Sequence, residues 1–172
     1  MSEINKKETK MKKNEMLSAL KNAIRGELDS IGIYKNALAN SYDEEVINFF
    51  NNMVEEEQGH YNYLLEYYKT IINEEELEAI DTKDTENMIF SDNFIQRIGS
   101  NQMLFSAISV ATLLEKNAFE FYQRLADQTD DEVLKKFFEK MVTWEKQHYD
   151  DLLKIADEAE NTYWQKNRFE PF

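Results

Sequence analysis

A chain of 172 residues is long enough to bury one sizeable core and close to the usual length of one domain. Its 20 Lys and Arg against 34 Asp and Glu leave a net charge of −14, a field that repels phosphate backbones and anionic lipid headgroups and so argues against nucleic-acid and membrane partners. Zero cysteines remove disulfides, thiolate nucleophiles and every Cys-ligated metal centre, and four glycines with one proline leave little material for phosphate-cradling loops or a turn-rich β fold.

Residues 1–13 carry five Lys and two Glu with no apolar run of signal-peptide length; they read as a solvated basic arm, and a cytoplasmic location is expected. Apolar residues then recur at helical spacing through Leu17, Leu20, Ile24, Ile31, Tyr34 and Leu38, which predicts a first helix over about 14–40. Ser41-Tyr42-Asp43-Glu44 has the pattern of a capping box opening a second helix at about 42–70, whose stripe runs Val46, Phe49, Phe50, Met53, Val54, Tyr61, Leu64 and Leu65. From Ile71 to Ser100 the chain must travel to the next long helix. The acidic run Glu74–Glu78 within it reads as a solvated helix face, in a segment with room for one or two short helices. A third long helix is expected at about 100–127. A second capping box, Thr129-Asp130-Asp131-Glu132, leads into a fourth at about 130–160, and residues 161–172 form a tail with exposed aromatics at Tyr163, Trp164, Phe169 and Phe172. The longest mostly apolar stretch, Met103–Leu114, falls short of the roughly 20 residues that a membrane span needs.

The two halves are copies of each other. Shifted by 88 positions, residues 23–65 and 111–153 align without a gap and share 14 identities, among them Glu27/Glu115, Tyr34/Tyr122, Phe50/Phe138, Met53/Met141, Glu57/Glu145 and His60/His148. Each half is a helical hairpin. Two such hairpins predict an all-α four-helix bundle over residues 14–160, and the 30-residue connection between them permits a long crossover along the bundle, as in ferritin-like folds.

Polar residues interrupt the apolar stripes at matching places. Glu27 lies between Ile24 and Ile31, Glu57 and His60 between Val54 and Leu64, Glu115 after Ala111, and Glu145 and His148 between Met141 and Leu152. The i, i+3 spacing of each Glu-x-x-His puts both side chains on one helical face. Glu27 and Glu57 are equidistant from the turn at residue 42, and Glu115 and Glu145 from the turn at residue 130, so at about 1.5 Å of rise per residue all six reach a common level. Burying four ionised carboxylates costs several kcal/mol per ion unless cations balance them. Two divalent ions do so, and an oxygen-rich, imidazole-assisted donor set suits iron or manganese, with zinc as a substitute.

At these residues the chain resembles the ferritin-like di-iron carboxylate proteins, which take a Glu from each of two helices and Glu-x-x-His from each of the other two; the likeness is greatest to rubrerythrin and bacterioferritin. The resemblance implies that Glu57 and Glu145 bridge two iron ions, one of which also takes Glu27 and His60 and the other Glu115 and His148. It places Tyr34 and Tyr122 beside the metals as candidate catalytic groups for redox or proton-relay chemistry. Rubrerythrin carries a further Glu three residues after its helix 3 ligand, where this chain has Ala118, and a Cys-ligated rubredoxin domain that a cysteine-free chain cannot build. An external electron-donor protein is therefore implied. Bacterioferritin binds haem through a Met just after the helix 2 bridging Glu; Gln58 stands here, and haem is not expected.

The activity implied is oxidation of Fe(II) by hydrogen peroxide or O2, as in a peroxide-scavenging, rubrerythrin-like homodimer. A ferroxidase subunit for iron storage, a hydroxylase and a non-catalytic bundle that holds metal for stability are the alternatives. Gly26 and Gly59, beside Glu27 and His60, read as sites of close packing or as access to the metals. Trp144, about 100° around the helix from Glu145, reads as a cover for the bundle.

Overall fold

The computed structural model describes residues 13–82 and 91–167. It contains four long helices, α1 (Lys13–Ala39), α2 (Glu44–Asn73), α4 (Gln102–Gln128) and α5 (Glu132–Asn167), with a short α3 (Asp92–Ser100) before α4. Among the described residues there is no strand, and no helix is long and apolar enough to cross a membrane.

α2 and α5 start two residues later than the capping boxes predict. Asp43, not Ser41, caps α2, its carboxylate accepting from the amides of Glu45 and Val46 at 3.1 and 3.2 Å. Asp131 does the same for Val133 and Leu134 at 2.9 and 3.0 Å. Ser41 instead returns its hydroxyl to the Ala37 carbonyl, closing α1. A carboxylate is the stronger acceptor for amides at the positive end of a helix, which explains why the aspartates win.

The acidic run is not helical. Glu74 sits in the left-handed region, φ 59°, where its amide turns back to the Ile71 and Thr70 carbonyls and ends α2, and residues 75–82 continue as irregular chain. Among the described residues of the connection a helix forms at Asp92–Ser100, capped by Ser91. Arg97 of α3 pairs with Asp43 at 3.0 Å and Glu45 at 2.7 Å, pinning the crossover to the α1–α2 turn. Gly99 passes so close to α5 that a Cβ there would stand 2.6 Å from the Ala159 carbonyl oxygen. The fourth long helix also runs further than expected, carrying Tyr163 and Trp164 on α5 and ending at Asn167; Phe169, Phe172 and residues 1–12 lie outside the described residues.

Two apolar clusters fill the bundle. One joins the end of α1 (Tyr34, Ala37), the start of α2 (Val46 to Met53), α3, the first half of α4 (Leu104 to Ala111) and the far part of α5 (Leu152 to Ala159). The other joins the start of α1 (Met16 to Ala23), the end of α2 (Leu64, Tyr67), the end of α4 (Tyr122 to Ala126) and the start of α5 (Leu134 to Trp144). The α1–α2 and α4–α5 turns therefore lie at opposite ends, and the chain between Asn73 and Asp92 must travel the length of the bundle. An α2 of 30 residues rises about 45 Å, and the 18 residues from 74 to 91 reach about 60 Å when extended, enough to make the journey. Between the two clusters lies a layer that is not apolar.

Candidate metal centre

Glu27 of α1, Glu57 and His60 of α2, Glu115 of α4, and Glu145 and His148 of α5 meet in that layer, each at most 3% exposed. Their donor atoms fall into two groups, each spanning no more than 4.8 Å: Glu27, Glu57, His60 and Glu145 in one, and Glu57, Glu115, Glu145 and His148 in the other. Glu57 and Glu145 are common to both. Each imidazole turns Nδ1 inward. His60 Nδ1 lies 3.0 Å from Glu145 and 3.3 Å from Glu57, and His148 Nδ1 lies 2.9 Å from Glu57. All six candidates from the sequence are thus brought together.

The donor set fits a pair of cations on evidence of its own. Both carboxylate oxygens of Glu145, Oε1 of Glu57, Oε2 of Glu115 and Nδ1 of His148 are buried without a well-aligned hydrogen bond, although ionisable groups of the same layer stand close by. Buried polar atoms left this way are rare in a folded interior, and five of them converging on one layer are accounted for if they face metal ions. For the side chains alone, burial and then the charges of Glu145 and Glu57 push the Glu27 carboxyl well above its ordinary range. Burial and then Glu57 and Glu145 do the same to Glu115. Burial would also raise Glu57, but His60 and His148 overcome it and hold Glu57 well below the carboxylate range. Burial would lower His60, yet Glu145 and Glu57 hold it up at about 9. His148 is likewise raised against burial, by Glu56 and Glu57. The layer thus stores protons that a cation would displace.

The two tyrosines make a reciprocal clasp. Tyr34 of the first hairpin donates its hydroxyl to Glu115 of the second, and Tyr122 of the second donates to Glu27 of the first. Neither can serve the Glu seven residues away on its own helix, about 10 Å along the axis, but each faces the neighbouring antiparallel helix at the right level. Burial first, and then the facing carboxylate, raise both phenols well above their ordinary value, so they remain protonated donors.

Two residues of the layer lie outside the sequence expectation. Glu56 accepts from His148 Nε2 at 2.7 Å, on the side of the ring away from the other carboxylates. Trp144 is not merely a cover: its indole stacks on the His60 ring, with centroids 4.9 Å apart and planes within 8°. A helix wheel drawn on one element cannot show either contact, because each is made to the opposite hairpin. Among the flanking glycines, Gly59 has ordinary contact room, with Tyr63 at 3.9 Å from a built Cβ, and nothing lies within 4 Å of one built on Gly26. Gly26 instead borders a cleft of about 280 Å³ between α1 and α4, lined also by Glu27, Ala118, Tyr122 and Arg124.

Residues 18–156 match the family model described as Rubrerythrin. A solved structure from Anabaena variabilis, a two-domain protein containing DJ-1/ThiJ/PfpI-like and ferritin-like domains, is similar at 16% identity with a TM-score of 0.53. The match covers 95% of this chain and 40% of that one, and it carries the fold alone. No curated protein matches the chain.

Proposed function

Because the chain belongs to the rubrerythrin family, we propose that it is a di-iron oxidoreductase that reduces hydrogen peroxide, with O2 as a slower oxidant, using electrons from a separate donor protein. The observation that carries this reading is the pair of four-residue donor groups sharing Glu57 and Glu145. In it, Glu27, Glu57, His60 and Glu145 would hold one ion, and Glu57, Glu115, Glu145 and His148 would hold the other. The bound pair would supply two electrons, one from each ferrous ion, to turn peroxide and two protons into two water molecules.

The protein's own groups prepare that chemistry. The four buried carboxylates Glu27, Glu57, Glu115 and Glu145 would balance the charge of two divalent ions, so the donor set itself would be neutral within an apolar interior. Tyr122 and Tyr34 fix one oxygen each of Glu27 and Glu115, leaving the other oxygen free to turn inward. Their raised phenols keep a proton on the tyrosyl oxygen, so they act as donors rather than as bases. The apolar clusters above and below exclude bulk water from the layer. The cleft of about 280 Å³ at Gly26 and Ala118 is lined by Glu27 and has volume enough for a molecule as small as peroxide.

Anaerobic titration with Fe(II), followed by stopped-flow mixing with substoichiometric peroxide or with O2, tests the reading in the wild type, Glu57→Ala and His148→Ala. Two Fe(II) per chain oxidised rapidly by peroxide, slowly by O2 and in neither variant supports it. Fast O2 oxidation continuing far beyond two irons supports iron storage instead, and no oxidation by either oxidant refutes both.

A further inference from the structure

The 88-residue repeat makes positions 56 and 144 equivalent, each preceding the Glu of a Glu-x-x-His motif. Each reaches across to the histidine of the opposite hairpin, Glu56 to His148 and Trp144 to His60. The backbone repeats while the chemistry does not: one histidine is backed by a carboxylate and the other by an indole. Lys140 extends the difference, its ammonium lying 5.1 Å over the Trp144 ring, whereas the equivalent position 52 is Asn52. One half of the layer thus has an anion behind its imidazole, and the other has an aromatic face with a cation beyond it.

We propose that Glu56 and Trp144 make the two metal positions unequal, so that a first divalent ion settles in the position of Glu115 and His148, and the position of Glu27 and His60 fills second. This rests on the two-metal reading of the site. The physical reason is direct. A carboxylate accepting the outer N–H of an imidazole fixes its ring and its tautomer and makes the inner nitrogen a better donor, and losing such a partner typically weakens metal binding about 10- to 100-fold. Glu56 also adds a negative charge at one side of the layer only, with its side chain 22% exposed and so incompletely screened by water. An indole stacked face-on offers its π surface, has no acceptor for an imidazole N–H, and adds no charge. Glu56 is on this account a positioning residue acting through His148. Filling in order keeps the first ion at the carboxylate-backed position while the second completes the pair beside the α1–α4 cleft, which Glu27 lines and Glu115 does not.

The test is a calorimetric and optical titration of the full, metal-free chain with Co(II) under anaerobic conditions, with proton NMR at one equivalent. Wild type should show two steps at least tenfold apart and one paramagnetically shifted, exchangeable imidazole N–H at the first. Glu56→Gln keeps an acceptor oxygen but removes the charge. It should weaken the first step about 10-fold or more, draw the two steps together and displace that resonance. Trp144→Phe, which preserves a stacked ring, should leave the first step within about twofold and its resonance in place. Circular dichroism of the metal-free variants checks that each is folded. Two indistinguishable steps in the wild type, equal weakening of both steps by Glu56→Gln, or a first resonance that responds to Trp144→Phe and not to Glu56→Gln would each overturn this inference while leaving the two-metal reading standing. Failure of the wild type to bind Co(II) would overturn both.

Discussion

Acid stability in this protein should run against the common trend. In the metal-free form the His60 imidazole is held at about 9 by Glu145 and Glu57, against 6.5 for an unperturbed histidine. A folded value above the unfolded one gives stability that is complete below pH 6.5 and is lost as pH rises through 9. At about 1.4 kcal/mol per pH unit, the difference amounts to roughly 3 kcal/mol from this residue. For a chain of this size each kcal/mol moves Tm by about 2–4 °C, so Tm should fall by about 6–12 °C between pH 6 and 9.5. His148, raised in the same direction, and Glu27 and Glu115, whose raised carboxyls favour the folded state less and less above about pH 4.5, add to the same slope. Glu57, held low, opposes it only at acid pH, where its stabilisation is lost as pH falls below 4.5. Loading with redox-inert Zn(II) must displace the protons on Glu27, Glu115, His60 and His148, so the stabilisation that zinc provides should grow with pH, reversing the sign. Differential scanning calorimetry of metal-free and zinc-loaded protein at matched ionic strength reads both slopes, with His60→Gln as the variant that flattens the metal-free one. A metal-free Tm that stays level or climbs between pH 6 and 9.5 would refute the account of the layer as a store of protons.

Three smaller tests concern the frame. Gly99→Ala drives a Cβ to 2.6 Å from the Ala159 carbonyl and should cost about 1–3 kcal/mol by chemical denaturation, whereas Gly32→Ala, with open space around it, should gain about 0.5–1 kcal/mol. Asp43→Ala removes both the α2 cap and a partner of Arg97, and should destabilise by about 1–2 kcal/mol, more than Ser41→Ala. Tyr122→Phe leaves an oxygen of buried Glu27 without its donor; it should lower metal-free stability by about 1–3 kcal/mol, and zinc should recover less of its stabilising effect than in the wild type.

The layer was legible because a Glu or His inside an apolar stripe contradicts the helical period, and the repeat shows the contradiction twice. Turn arithmetic then places Glu27, Glu57, Glu115 and Glu145 at one level, where the structure also has them. Partnerships between hairpins were not legible to the same degree. Glu56 is hidden in the run Glu55-Glu56-Glu57, and nothing on α2 itself marks it as facing α5. Trp144 looked peripheral on its own helix because its contact, His60, belongs to another. The tyrosines were expected near the metals, but which carboxylate each holds depends on the antiparallel placement of α1 and α4. The caps were misplaced because Ser41 and Thr129 satisfy a capping pattern as well as Asp43 and Asp131 do, and only the competition between hydroxyl and carboxylate decides. The helix in the crossover went to Asp92–Ser100, where Phe94, Ile95 and Ile98 supply an apolar face that Glu74–Glu78 lacks.

Neither apolar cluster belongs to one hairpin. The cluster around Phe50 takes residues from α1 and α2 and also from α4 and α5, and so does the cluster around Phe138. The unit that the sequence repeats is therefore not the unit that folds: a chain cut in the crossover would yield two fragments, each with half of both interiors exposed and three of the six donors. Such fragments should be poorly ordered apart and should gain structure on mixing, with added cation drawing them together. By the same geometry, two copies of one hairpin related by a two-fold axis would assemble a complete centre with identical residues at positions 56 and 144, whereas a single chain that carries both halves lets the two positions differ.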